Sequence, residues 1–524
     1  MISNYGKNLF EQQTPYLQWL KERKEIQEIS KDVIKGKHIA KLPFFSCEDK
    51  IEQIVTQPID VLYDIDFVLF YGANGFLEQK AKYFFAEYFE KHEEVVIAYA
   101  DEDYLGELRQ FYGEKVKETE YSYEYQFGET QYYRGEPWFK PDYSPDTLRS
   151  FFYFGNIFAI RGAVLADMVA KEKQLSIYEM VLILIEKYNA AGHISEVLFT
   201  NEVKMKDTPV EVGRDEKTPV KNESIISKVD TKRIGIASCA KNKENSLISI
   251  VIPSKDNANI LKRCLLTMVE YTDYPYYEII LVDNGSSEKE LMCIRELIAQ
   301  VQEDYDLKWA DAHEPMEALS IQHIYQKAEF NFSKMCNLGA KAAKGELLLF
   351  LNDDMEIIDS SWLRGMKEQV KQTHTGAVGA KLYYPKATES ESYRIQHVGI
   401  TNMGIGPAHK LAGMKDEGDL YHGHNTQIYN MLAVTAACLM IKKECFWEVG
   451  GFDEELAVAY NDVELCFKLH EKALLYKKHP LLRNKDPFYS EHLVQWKKDV
   501  AYSCNYLYPC DKINKPRLLN KKEI

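Results

Sequence analysis

The ten cysteines contain no C-x-x-C pair, a pattern that suits a reducing compartment. Cys264, Cys438 and Cys466 stand in apolar runs as small hydrophobes. No G-x-G-x-x-G and no G-x-x-x-x-G-K-[ST] occurs, so the usual dinucleotide and P-loop phosphate cradles are missing. No apolar run approaches the roughly 20 residues that span a bilayer; among the longest is Leu432 to Ile441. The first residues, MISNYGKNLFEQQ, lack a basic-then-apolar leader, and a soluble, cytoplasmic protein is expected. Net positive charge is also lacking. The formal charge of −15 argues against a nucleic-acid partner, because a polyanion would be repelled.

At 524 residues, 45% of them hydrophobic, the chain is long enough for two or three domains with real cores. Residues 1–60 read as a helical, polar segment with Tyr16, Leu17 and Leu20 as an apolar stripe. From 61 to 205 short apolar runs such as DFVLFYG and EVVIAYAD alternate with helical stretches. Residues 206–245 are rich in Lys, Glu, Asp, Thr and Ser, the composition of a solvated linker. A second alternating region spans 246–500, and residues 501–524 read as a mildly basic tail.

The second region has a clear rhythm. LISIVIP, YEIILVD and GELLLFL are continuous apolar strands, separated by amphipathic helices such as ANILKRCLLTMVEY. That pattern predicts an α/β domain with a mostly parallel sheet covered on both faces. Ligands in such sheets bind beyond the carboxyl ends of the strands, where the distinctive polar residues fall. The first strand ends in Pro253-Ser254-Lys255-Asp256 and the second in Asp283-Asn284-Gly285. An acid there can accept hydrogen bonds from a nucleotide or cap an ordinary turn.

The third strand runs into Asn352-Asp353-Asp354. Adjacent carboxylates repel each other unless water or a cation relieves them. Hard oxygen donors suit Mg²⁺ or Mn²⁺, which can bridge to a diphosphate. Further on, Asn461-Asp462-Val463-Glu464 precedes an apolar helical face. This places Asp462 in a first helical turn, where a carboxylate can serve as a base or simply as an N-terminal acid.

These residues in this order resemble glycosyltransferase family 2, the inverting transferases with a GT-A fold. The resemblance covers about 247–480. It runs through V-D-N-G-S, F-N-F-S-x-x-x-N-L-G, G-E-x-L-L-F-L-N-D-D, G-A-V-G-A-K-L, I-Q-H-V-G, T-x-A-C, V-G-G-F-D-E and N-D-V-E-L-C, and is nearest to bacterial O-antigen and rhamnan-type transferases. It implies that Pro253, Asp256, Asp283, Asn284, Asn337 and Asp353 bind the nucleotide-sugar. Asp354 and Asn352 would hold Mg²⁺ or Mn²⁺, and Asp462 would deprotonate the acceptor hydroxyl. The implied partners are a UDP- or dTDP-sugar and a glycan or lipid-linked saccharide, met at the inner face of the cell membrane in polysaccharide assembly. Asn461 stands where the family usually has Glu, and Ala436 where close relatives have Gly. The Q-x-x-R-W motif of processive synthases is missing. His397 and His409 match relatives in position without a role the sequence reveals.

The first half resembles the same family in Tyr99-Ala100-Asp101-Glu102-Asp103 and in Trp138-Phe139-Lys140-Pro141-Asp142. No opening Pro-containing strand is recognisable before residue 61. Phe70-Tyr71-Gly72-Ala73-Asn74-Gly75 stands where relatives carry an acidic cluster. The half is therefore expected to be a degenerate GT-A-like copy. Two other readings bear on the whole chain. A nucleotidyltransferase would need a Gly-rich basic loop after the first strand, and P-S-K-D-N-A-N lacks the glycines. A non-catalytic glycan-binding scaffold would have no reason to keep Asp353, Asp354 and Asp462 together.

Overall fold

The computed structural model describes residues 16, 17, 20, 31–108, 125–127, 129–172, 174–188, 191–202, 245–310, 319–372, 374–386, 388, 390–402, 407–418 and 420–475. The expected linker 206–245, apart from Asn245, and the tail 501–524 lie outside them. Two compact units result: Met1–Ser238 with Tyr421–Asn430, and Cys239–Leu420 with Met431–Ile524.

The first unit is built on strands β1 (Ile39–Phe44), β2 (Phe67–Gly72), β3 (Gly75–Leu77), β4 (Ile97–Gly106), β5 (Tyr125–Phe127), β6 (Thr130–Trp138), β7 (Ile157–Arg161) and β8 (Gly192–Asn201). The order is β1-β2-β7-β4-β6-β5, with β8 pairing β3 and β4. Strand β1 falls inside the segment read as helical. It lies at the sheet edge, where Pro43 can forgo an outward N–H, and it pairs in parallel with β2. A second departure is Tyr421–Asn430, inside the range read as one catalytic domain but packed in the first unit. Asn430 Oδ1 accepts from the Asp146 and Thr147 amides, its Nδ2 donates to Asp146, and His422 stacks on Trp138 at 4.5 Å. Hydrophobic periodicity marks elements but carries no signal for which core a connecting loop joins.

The second unit contains β9 (Ile248–Ser254), β10 (Tyr277–Asp283), β11 (Ile321–Tyr325), β12 (Leu347–Leu351), β13 (Ala377–Gly379), the small pairs β14 (Leu382–Tyr384) with β15 (Arg394–His397) and β16 (Ile400–Asn402) with β17 (Pro407–His409), and β18 (Cys438–Lys442). The main sheet runs β11-β10-β9-β12-β18-β13, parallel from β11 to β12 and antiparallel around β18. Its central strands β9, β10, β12 and β18 are buried on both faces, as their unbroken apolar runs require. Ile248, Ile250, Ile252, Leu347 and Leu349 pack with helices Ala258–Tyr271, Glu288–Trp309 and Trp362–Val370. The intervening Val251, Leu348 and Phe350 pack on the other side with helices Phe332–Ala342 and Asn461–Leu475. Each such fully buried side chain contributes about 1.5–3 kcal/mol. The expected parallel-rich α/β sheet is the one observed.

The two sheets share one topology in part. In the first unit β1-β2-β7-β4 run parallel, antiparallel, antiparallel, and β9-β12-β18-β13 do the same. Residues 45–66 join β1 to β2, whereas 255–346, with β10 and β11, join β9 to β12. Nothing in the first unit corresponds to β10 and β11 among the described residues.

Candidate active site

The carboxyl ends of the parallel strands β11, β10, β9 and β12 lie at one edge of the second unit's sheet. Strand β9 ends at Ser254, whose hydroxyl donates to Asp353 Oδ2 at 2.6 Å, and Asn257 Nδ2 lies 3.4 Å from the same oxygen. Pro253 sits one residue earlier, opposite Val282 of β10. Asp353 and Asp354 follow β12 directly. Burial raises the pKa of Asp353 above the usual carboxylate range, and the neighbouring Asp354 raises it further, against the Ser254 and Asn257 hydrogen bonds. The Asp354 carboxyl is exposed at its surface and is also raised, by the protein packed around it. Asn352 anchors the turn through its backbone N–H to the Ala437 carbonyl at 3.0 Å.

The residues expected at the nucleotide divide into two kinds. Asp283 is fully buried; Oδ1 accepts from the Ser286 amide at 2.7 Å and Oδ2 lies 3.2 Å from His323 Nε2. Asp256, in the left-handed region at φ 53°, accepts from the Ser287 amide at 2.8 Å, while its own N–H donates to Ser286 Oγ. Both acids therefore build the 283–287 turn. Gly285 there has φ 84°, and a Cβ would meet Lys327 at 2.7 Å, so only glycine closes this loop. Asn284 differs: it is 3% exposed, its N–H donates to the Ser254 carbonyl, and its Nδ2 has no partner among the described residues.

Asn337 was expected at the nucleotide-sugar, but its carboxamide is occupied elsewhere. Nδ2 donates to the Phe452 carbonyl and to Glu454, and Oδ1 accepts from the Phe452 amide at 3.0 Å. It braces the Gly450-Gly451 turn, whose two glycines sit at φ 87° and 71°.

Asp462 is the second residue of helix Asn461–Leu475, as its sequence position implied. Its Oδ2 accepts from the Ala436 amide at 3.0 Å and its Oδ1 from Val463 at 2.8 Å. Asn461, in place of Glu, is buried and caps the Asp462 amide. One residue before Ala436, the Thr435 amide lies 3.4 Å from His397 Nε2. His397 Nδ1 meets His409 Nδ1 at 3.0 Å. Burial, reinforced by His409, lowers the His397 pKa to about 3. The neighbouring Ala436 and Thr435 amides thus hold the Asp462 carboxylate and a neutral histidine.

Sequence reasoning missed His323. It is an isolated histidine on edge strand β11, with no motif to flag it; the register sets it opposite Leu281, from where its ring reaches Asp283 two residues on. In the first unit the acids of β4 are neutralised internally. Lys140 Nζ meets Glu102 at 3.0 Å, Arg134 Nε meets Asp103 at 2.6 Å, and His193 lies between Asp101 and Asp142 at 2.9 Å each. Strand β2 holds the place of β12 and ends in Gly72-Ala73, without carboxylates.

The donor set at β12 suits a hard divalent ion, since Mg²⁺ and Mn²⁺ use one or two carboxylates plus water and substrate phosphates. Among the described residues no three His, Cys, Asp or Glu side chains cluster as a full protein cage, and none of the described helices is long and apolar enough to cross a membrane.

Residues 249–450 match the model of "Glycosyl transferase family 2". The O-antigen biosynthesis protein RfbC of Myxococcus xanthus is 29% identical over 425 residues, which is 78% of this chain and 30% of that protein. The validoxylamine A glucosyltransferase of Streptomyces hygroscopicus subsp. limoneus is 23% identical over 245 residues, 43% of this chain and 48% of that one. The chain thus spans less than half the length of either relative. Among solved structures, a mannosyltransferase from Pyrobaculum calidifontis in complex with GDP-Man and Mn²⁺ aligns at TM-score 0.30 and 14% identity, covering 42% of this chain and 51% of that one. Residues 249–450 form a glycosyl transferase family 2 domain, the family to which the sequence motifs pointed.

Proposed function

We propose that the region 246–500 catalyses inverting, metal-dependent transfer of a sugar from a UDP- or dTDP-sugar to a saccharide acceptor in cell-surface polysaccharide synthesis. The observation that carries this reading is the adjacent pair Asp353–Asp354 at the mouth of buried β12, both held above the ordinary carboxylate range. A cation relieves that cost, and a diphosphate brings one. Asp354 and Asn352 would hold Mg²⁺ or Mn²⁺, which when bound offsets the charge of the departing diphosphate.

The remaining work belongs to the chain. Ser254 orients Asp353, and Asn284 offers a buried donor to the nucleotide. Pro253, Asp256 and Asp283 shape the strand ends around it, and Asn337 braces the turn facing them. Asp462, its orientation fixed by the Ala436 and Val463 amides, keeps a lone pair on each oxygen. It takes the acceptor hydroxyl proton while that oxygen bonds to the anomeric carbon and the bond to the diphosphate breaks. In-line attack inverts the centre. The similarity to an O-antigen biosynthesis protein supports a glycan or lipid-linked acceptor, met at the inner face of the cell membrane.

For the first unit the reading is a non-catalytic copy serving as scaffold or acceptor surface. It keeps the β9-β12-β18-β13 order, yet has no described counterpart of β10 and β11 and no acids after β2.

The test is diphosphate release from a panel of UDP- and dTDP-sugars with saccharide acceptors. Release that needs Mn²⁺ and is lost in Asp462→Asn supports the reading; release indifferent to metal contradicts it.

A further inference from the structure

We infer that His323, oriented by Asp283, is the side chain that reads the nucleobase, and that with Asn284 it selects the imide edge of uracil or thymine. The inference rests on the nucleotide-sugar reading and names the group that decides the donor.

An acid at the end of the second parallel strand would be the obvious base contact. Here Asp283 has no exposed surface, and its two oxygens are already used by the Ser286 amide and by His323. Each oxygen keeps a second lone pair, but with no exposed surface the carboxylate is out of a ligand's reach. His323 stands in front of it with 18% of its side chain exposed. A carboxylate only accepts, so the His323 Nε2 must carry the proton in this contact. In the neutral ring Nδ1 is then an acceptor, and it makes no hydrogen bond to the described residues.

The strand register makes this a surface and not a lone histidine. Strand β11 is the sheet's outer strand, and Leu281 and Asp283 of β10 lie opposite His323 and Tyr325. Residues two apart on a strand share a face, so the Tyr325 ring, 49% exposed, flanks His323 on that side. Its hydroxyl lies 3.5 Å from the Ser286 carbonyl, which fixes it beside the turn. An exposed ring of this kind is a stacking platform for a flat base. The next residue after Asp283 adds the buried Asn284 Nδ2, which lacks an acceptor among the described residues.

An acceptor on His323 and a donor on Asn284, at the ends of adjoining strands, match a ligand that carries an N–H beside a carbonyl. In uracil and thymine the N3–H lies between two carbonyls, so the pair is satisfied with the base in either orientation; guanine, with one carbonyl beside its N1–H, satisfies it in one orientation only, and cytosine and adenine have no such N–H. An unmet buried donor costs free energy, so a base that fills both positions is favoured over one that fills neither.

The experiment is calorimetric binding of UDP, dTDP, GDP, CDP and ADP to the full chain with Mn²⁺, repeated with inorganic pyrophosphate. Wild type is expected to bind UDP or dTDP best. His323→Leu should lose about tenfold or more in that affinity, with pyrophosphate binding unmoved. His323→Gln, which offers an N–H and an oxygen on one amide, should lose less. Tyr325→Ala, at an exposed position, should lose several-fold, and it stands in if His323→Leu fails to fold. Nucleotide binding that is unchanged in these variants, or equal for all five bases, overturns the inference and leaves the transferase reading intact. Wild type that binds pyrophosphate but no nucleotide overturns both.

Discussion

The Ser254 hydroxyl donates to Asp353 Oδ2 at 2.6 Å, tying the end of β9 to the acidic turn after β12. It is one of the contacts that hold Asp353 down while burial pushes its pKa up. Removing it should raise that pKa further. Ser254→Ala is therefore expected to weaken Mn²⁺-dependent nucleotide binding by about five- to tenfold, near 1 kcal/mol. The loss should deepen as pH falls, because Asp353, with its pKa raised further, takes up a proton sooner and loses the charge that favours the neighbouring ion. Calorimetry at two pH values checks this; an equal loss at both would mean that Ser254 acts only through packing.

Asp462→Asn should reduce transfer by about 10²–10⁴-fold while donor affinity stays near wild type, since a base acts in the chemical step. The Ala436 and Val463 amides donate to different carboxylate oxygens, and the Asn oxygen can keep only one of them, so the thermal midpoint of the variant is measured alongside to confirm that it folds. Steady-state rates beside nucleotide affinities separate the roles. Weak donor binding in this variant would place Asp462 in the nucleotide site or in the fold.

Asp103→Ala should destabilise the first unit and leave metal-dependent nucleotide affinity unchanged. Asp103 and Arg134 are both buried and paired at 2.6 Å. Breaking such a pair strands a charge and costs about 3–5 kcal/mol. A large fall in thermal midpoint with normal nucleotide binding is the expected pattern. Lost nucleotide binding in folded protein would make the first unit a working nucleotide domain.

His397 should impose an acid limit on the second unit. Its folded pKa is depressed to about 3 by burial and by His409, against about 6.5 in an unfolded chain. A depressed value means the stabilisation is complete above about 6.5 and is lost as pH falls from there toward 3. Thermal unfolding across this window should show a decline that His397→Gln flattens. An identical decline in the variant would assign it to other groups.

Much of the second unit was legible because its strands are unbroken apolar runs, and their carboxyl ends had to carry the polar chemistry. Asp353, Asp354 and Asp283 are singled out that way, and Asp462 as an acid in the first turn of a helix. What was missed follows from properties that periodicity does not encode. Strand β1 is an edge strand with Lys41 and Pro43, so its alternation is weak. Asn337 looked like a ligand contact, but the turn it braces lies more than a hundred residues away in sequence. His323 gains its meaning only from the register of β11 against β10. Tyr421–Asn430 reads as an ordinary loop, and only tertiary contacts assign it to the first unit.

On the proposed reading, Asp354 and Asn352 hold the divalent ion through which a nucleotide diphosphate binds beside Asp353. The most direct measurement is calorimetric titration of UDP and dTDP, each with and without Mn²⁺, into wild type and Asp354→Ala. The account predicts binding of at least one nucleotide that vanishes without metal and in the variant. Folded protein that binds neither, or that binds equally without metal, would contradict it and make the acidic turn after β12 a structural feature alone.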